Sequence, residues 1–257
     1  MEDILIALAS QHSELAEIVD GCTNDDWERP TPCEGWDVAS VLAHLALTDE
    51  FATASALGEL DRYGDGVLGS REHQNVAVNV SVDAAAAAQV DAERGAGGDA
   101  IRRRWHDASE TMRVALQAGD PRQRVTWVAG RLSLQTLATT RLSECWIHTG
   151  DIASALGITL PPTDRLRYIA RLAWRTLPYA FERADMTMNG PVALELIGPN
   201  GEQWRFDPDR PALTTIRGSA AEFCDVAARR VDPAETDLVA TGPDAAGVLR
   251  LVRTYAL

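Results

Sequence analysis

The chain has 257 residues, 46% of them apolar, and a formal net charge of −14 at pH 7. That length accommodates one large or two smaller domains with a full core, and the charge argues against a nucleic-acid backbone or an anionic membrane as partner. All 24 basic residues are Arg, which we read as genomic base composition and not as a site signal.

Cys22, Cys33, Cys145 and Cys224 form no C-x-x-C pair and no disulfide framework, which fits a reducing cytoplasm. The first residues carry acids and begin an amphipathic helix, without the basic start and apolar core of a leader. No segment reaches the roughly 18 to 20 apolar residues of a membrane span. A soluble cytoplasmic protein is expected.

In chain order, Ile4, Leu5, Leu8, Leu15, Ile18 and Val19 predict a helix over 3–20 that stops at Gly21, and His12 within it reads as a surface or packing residue. Residues 22–35 hold two prolines and turn formers, with room for one helical turn at Asp25 to Trp27. Cys33 stands beside the next helix, where it can line a pocket, and is read as an inert thiol. Residues 36–57 are again periodic; 58–70 form an exposed crossing or lid. A helix over 80–118 is interrupted by the GAGG at 95–98, with His73 and His106 solvated and Arg102 to Arg104 on a helix face.

A loop over 119–130 then precedes a long helix from 131 to 156, ended by Gly157 and Pro161-Pro162. One further helix spans 164–183. From 187 the period becomes two: strands at 192–197 and 203–207 flank a Pro-Asn-Gly turn, a third strand lies at 212–217, and helices follow at 220–230 and 243–255. The expected fold class is mostly α within α+β, a helical bundle over 1–185 followed by a small α+β domain over 186–257.

The stretch Arg141 to Asp151, RLSECWIHTGD, concentrates the chemistry. On a helix Glu144 and His148 share one face, with Arg141 a turn before and Asp151 a turn after. Thr136, Thr139, Ser143, Gly150 and Ser154 make a weakly polar arc suited to the outside. The charged face is either solvated or a pair of metal ligands. His44 falls among Val41, Leu47 and Phe51 on its own helix and so points inward. Two inward histidines and a carboxylate on separate helices each cost free energy unless paired, and one cation pairs all three.

WDVASVLAHL at 36–45 and ECWIHTGDIASALG at 144–157 resemble the mycothiol-dependent maleylpyruvate isomerase family, whose N-terminal region is a DinB-like metal-binding four-helix bundle. TPCEGW at 31–36 and FCDVAARRVDP at 223–233 extend the likeness, while 58–130 carry little of it. The resemblance implies that His44, Glu144 and His148 hold a zinc-type ion, with Ni, Fe or Mn as other candidates. It implies an arginine required for activity in the C-terminal domain, matched by Arg229, with Arg230 adjacent and Arg217 a further option. The plainer reading of Arg229 and Arg230 is a helix C-terminus favoured by its dipole. Asp151 matches the family block as a carboxylate holding a ligand histidine in one tautomer.

Two His and one carboxylate leave a coordination position open, the pattern of a catalytic zinc. The implied activity is a metal-dependent enzyme using a low-molecular-weight thiol, mycothiol-like, to isomerise or S-conjugate a small electrophilic substrate bearing a carboxylate. A thiol-independent metalloenzyme (hydrolase, lyase or biosynthetic enzyme) and a non-catalytic metal- or ligand-binding protein fit the same residues. Oligomeric state is not readable.

Overall fold

The computed structural model describes residues 1–60, 88, 90–93, 95–128 and 130–254. The expected crossing at 58–70 and His73 therefore fall wholly or mostly outside the described residues. The chain is mostly helical, α+β in class, and divides into two compact units, Met1–Leu160 and a second beginning at Pro161.

In the first unit, α1 (Glu2–Asp20) buries Ile4, Ala7, Leu8, Leu15 and Val19 at helical spacing and ends where Gly21 N–H returns to Ile18 O. A single 3-10 turn at Asp25–Glu28 seats Trp27 in the core. Helix α2 (Val38–Leu57) starts at Asp37, whose carboxylate accepts Ser40 N–H at 2.8 Å, and stops at Gly58 with φ 72°. Helix α3 (Gly98–Ala118) buries Ile101, Trp105, Ala108, Met112 and Leu116. Its first residue must be glycine, because a Cβ there would lie 2.3 Å from the Trp27 ring. The interruption expected at 95–98 thus marks a helix start.

The expected loop at 119–130 is in part a hairpin. Strands β1 (Arg124–Trp127) and β2 (Gly130–Ser133) pair antiparallel, and α4 (Leu134–Leu156) follows directly. Ser133 caps α4 by accepting Thr136 N–H at 3.1 Å, so the helix begins three residues later than the periodicity suggests. Helix α4 packs on both α1 and α2, and α3 on both as well, which closes a four-helix bundle. Being covered on two sides, α4 also buries Ser143, which the wheel had placed outside.

His12 lies in this core with both ring nitrogens lacking a hydrogen-bond partner among the described residues, its ring edge-on to Trp105 at 5.9 Å. Burial, with Arg113 and Arg141 adding to it, pushes its pKa down to about 3. The unfolded chain therefore takes up a proton here below its ordinary 6.5 while the folded chain does not, so stability falls as pH drops from about 6.5 towards 3. His12→Phe, which keeps a ring against Trp105 but binds no proton, is expected to show a shallower decline in unfolding midpoint over that window. Parallel pH profiles for parent and variant would assign the acid sensitivity elsewhere.

In the second unit, α5 (Leu166–Arg183) turns Leu166, Ile169, Ala170, Ala173 and Leu177 into the interior. It is followed by β3 (Val192–Ile197), β4 (Gln203–Phe206), β5 (Thr214–Ser219), α6 (Ala220–Ala227), β6 (Val239–Thr241) and α7 (Ala245–Leu251). The sheet order is β4-β3-β5-β6, with β3 and β5 parallel and the outer pairs antiparallel. Trp174 Nε1 donates to Val192 O at 2.7 Å and Thr176 Oγ1 to Arg253 O at 2.9 Å. These bonds and its apolar stripe tie α5 to the second unit, so the division falls earlier than the expected 185/186. Strand β6 was not anticipated: Val239–Thr241 is too short to show alternation. Among the described residues no helix is long and apolar enough to cross a membrane.

Candidate metal centre

Helices α2 and α4 pack side by side and bring His44, Glu144 and His148 together. The spacing of Glu144 and His148 is one helical turn, and His44 faces them from the second turn of α2. Glu144 Oε2 lies 3.7 Å from His44 Nε2 and 3.6 Å from His148 Nε2, and all three donor atoms lie within 4.8 Å of one another. The His44 and His148 rings stand 5.0 Å apart at 77°, and Trp36 covers His44 at 5.0 Å. Side-chain exposure grades from 9% at His148 through 13% at His44 to 23% at Glu144, so the cluster opens to one side.

The opposite nitrogen of His148 has a different neighbour. Nδ1 stands 2.9 Å from Asp151 Oδ2, and Asp151 is 2% exposed. That length is a hydrogen bond to a carboxylate, which puts the proton of a neutral imidazole on Nδ1 and leaves the Nε2 lone pair facing Glu144 and His44. The separations on the Nε2 side are too long for good hydrogen bonds. They approach instead the ligand-to-ligand edges of about 3.4 Å that follow from tetrahedral zinc with bonds near 2.1 Å. Cys33, His148 and Asp151 form another convergent trio, through the Nδ1 side of the same ring. The 2.9 Å contact there identifies that side as the hydrogen-bonded support and the Nε2 side as the one fit for a cation.

Without an ion, burial and the neighbouring groups pull the three members of the trio in different directions. Burial pushes His44 down, towards the neutral form that ligates, although Glu144 pulls the other way. Burial works against ionising Glu144, yet His148 and His44 hold its carboxyl well below the usual range. His148 is drawn well above its ordinary value, against burial, by Asp151, Cys33 and Glu144, which favours the imidazolium, so an ion bound at Nε2 would displace a proton. The trio is thus a carboxylate between two imidazoles in a partly buried recess, a hard and borderline donor set suited to a divalent ion.

One turn away, Arg141 and Asp49 form an ion pair with side chains 1% and 2% exposed. Arg141 Nη2 is 2.9 Å from Asp49 Oδ1 and donates to Thr48 Oγ1 at 2.8 Å, joining α4 to α2 beside the cluster. Burial pushes the Asp49 carboxyl up to about 6, with Arg141 pulling it back.

Arg229, the expected catalytic arginine, lies in the second unit just past α6, in the left-handed region at φ 61°. Its N–H returns to Val226 O at 3.0 Å and that of Arg230 to Asp225 O at 3.0 Å, a helix C-terminal turn. Arg217 sits on β5 and pairs with Glu195 at 2.6 Å. Cys33 is the residue that sequence reasoning undervalued: its thiol donates to Asp151 Oδ2 at 3.2 Å. Its place in TPCEGW, just before the His44 helix, was the available signal.

The sequence profile of the mycothiol maleylpyruvate isomerase N-terminal domain matches residues 8–153. Two uncharacterized proteins of Mycobacterium tuberculosis strains are each 33% identical over 250 residues, covering 97% of this chain and 93% of their own. Two crystal structures share the fold at a TM-score of 0.61, one of mycothiol-dependent maleylpyruvate isomerase and one of its histidine-to-alanine mutant. They are 18% and 17% identical and are matched over 93% of this chain and 92% of theirs. The matched span runs from α1 to Ala153 near the end of α4 and contains every side chain of the cluster; the chain belongs to the mycothiol maleylpyruvate isomerase N-terminal domain family.

Proposed function

We propose that the protein is a metal-dependent enzyme that uses a low-molecular-weight thiol of the mycothiol type on a small unsaturated carboxylic acid. The observation that carries this reading is the convergence of two imidazole Nε2 atoms and one carboxylate oxygen from α2 and α4. His44, Glu144 and His148 would hold the ion, zinc by preference, with Ni, Fe or Mn also served by such donors. A divalent cation bound there supplies Lewis acidity and favours the thiolate form of a thiol cosubstrate at neutral pH.

Asp151 fixes His148 in the tautomer that presents Nε2, and Trp36 and the buried wall of α4 keep water from one side. In the isomerase reading the thiolate sulfur adds to one carbon of the cis double bond, and the conjugated carbonyl accepts the electron pair as an enolate. Rotation about the resulting single bond follows, and collapse of the enolate expels the thiolate to leave the trans isomer. Protonation of the enolate before expulsion would instead leave the thioether, the S-transferase outcome. The role implied for Arg229, pairing with the substrate carboxylate, is part of this proposal and rests on the resemblance. The acidic chain has no claim on nucleic acid, and the family resemblance favours small-molecule partners and a cytoplasmic setting.

The test is elemental analysis of protein purified without added metal, combined with turnover on maleylpyruvate with and without mycothiol. The expected result is close to one equivalent of a divalent transition metal and turnover only when the thiol is present. Turnover undiminished without any thiol would overturn the thiol reading and favour a metal-activated hydroxide. Absence of bound metal after reconstitution would overturn the metal reading.

A further inference from the structure

The turn leading into α2 is held by its own backbone and one threonine. Thr31 N–H and Oγ1 donate to Trp36 O at 3.0 and 2.8 Å, Trp36 N–H donates to Cys33 O at 3.0 Å, and Cys33 N–H donates to Thr31 Oγ1 at 3.2 Å. None of these bonds uses the Cys33 side chain. The thiol instead reaches α4, where it donates to Asp151 Oδ2, the same oxygen that faces His148 Nδ1. Sulfur and Nδ1 are themselves 3.9 Å apart, so the thiol and the imidazole meet at one carboxylate oxygen.

We propose that Cys33 is a positioning residue of the metal centre, pinning the Asp151 carboxylate so that His148 presents Nε2 to Glu144 and His44. This rests on the metal reading given above. A carboxylate swings about its terminal torsion with little preference between its two oxygens. A second donor on the same oxygen, delivered from a separate and rigid turn, removes that freedom. The S–H group suits the task because it is a weak donor, leaving most of the basicity of Oδ2 to the imidazole. The same turn lays Trp36 over His44, so one short segment orients both histidines from outside the coordination set.

The test compares Cys33→Ala and Cys33→Ser with the parent for zinc affinity by chelator competition, for unfolding midpoint in chelator, and for the absorption of the cobalt(II) proteins. Cys33→Ala is expected to bind zinc about tenfold more weakly or worse, and Cys33→Ser, whose hydroxyl still donates, to recover to within about threefold of the parent, since groups behind a ligand are worth about 10 to 100-fold. The midpoint in chelator should be nearly the same for all three, because the turn is held without the thiol. Should alanine loosen the turn, Cys33→Val supplies a donor-free side chain of similar size.

Parental affinity in Cys33→Ala, or equal weakening in both variants, would overturn the proposal. So would a near-ultraviolet thiolate-to-cobalt band in the parent that is lost in Cys33→Ser, which would make Cys33 a ligand. His148→Ala measured alongside separates the two readings. If it loses zinc while Cys33→Ala does not, only the positioning role fails; if it binds zinc as the parent does, the centre itself is wrong.

Discussion

His148→Ala is expected to lose bound metal and to drop at least about 10³-fold in thiol-dependent turnover while keeping its helical fold. A Lewis-acidic ion contributes several kcal/mol to a charged transition state, and each 1.36 kcal/mol is a factor of ten. His148 is central to the trio because both of its nitrogens are engaged, Nδ1 by Asp151 and Nε2 by the space shared with Glu144 and His44. Its removal leaves Glu144 facing a single imidazole, a donor pair too small to hold an ion against water. His44→Ala should fail in the same way. Glu144→Ala removes the only anion of the trio and should weaken metal binding with little effect on folding, since Glu144 is the most exposed of the three. Circular dichroism confirms the fold, and zinc content with turnover on maleylpyruvate reads the effect. A well-folded His148→Ala protein with parental zinc and turnover would end the metalloenzyme reading.

Much of this centre was legible before any coordinates. The E-x-x-x-H-x-x-D run places three donors on one face of α4 by helical geometry alone, and His44 declares its direction by the apolar residues around it. Gly157 marks the end of α4 by residue type, whereas Asp37 and Ser133 set the starts of α2 and α4 two and three residues later than periodicity alone places them. What the chain could not announce is which surfaces meet. A helical wheel locates a face and says nothing of how many neighbours cover it, so Ser143 was placed outside although α1 and α2 both press on α4. The apolar stripe of α5 was equally ready for a bundle or a sheet, and only its bonds to Val192 and Arg253 decide. The thiol of Cys33 reaches a carboxylate 118 positions away, a pairing with no local periodicity to betray it. Strands of three or four residues, such as β1, β2 and β6, are shorter than the alternation that would reveal them.

The second large effect concerns the ion pair beneath the centre. Arg141→Met is expected to destabilise the protein by about 3–5 kcal/mol, because it leaves the Asp49 carboxylate buried with no cation beside it. Replacing both partners, Arg141→Met with Asp49→Leu, should recover most of that loss, since an apolar pair of similar volume avoids the desolvation of two charges. Urea unfolding measures both, and a single variant within about 1 kcal/mol of the parent would show that the pair does not carry this weight. The pH dependence gives an independent check of sign. The folded Asp49 carboxyl is already raised from 3.8 to about 6, and removing Arg141, which holds it down, raises it further. A group with a raised folded value takes its proton more readily when folded, so its stabilising contribution is complete below 3.8 and is lost as pH climbs through 6 and beyond. The deficit of Arg141→Met relative to the parent should therefore be small in acid and grow towards neutrality. Zinc affinity adds what stability cannot. The pair joins α2 and α4 close to their ligands, so the double variant, though stable, should bind zinc more weakly than the parent if the link sets the register of the two helices. Parental affinity in a stable double variant would confine Arg141 and Asp49 to folding alone.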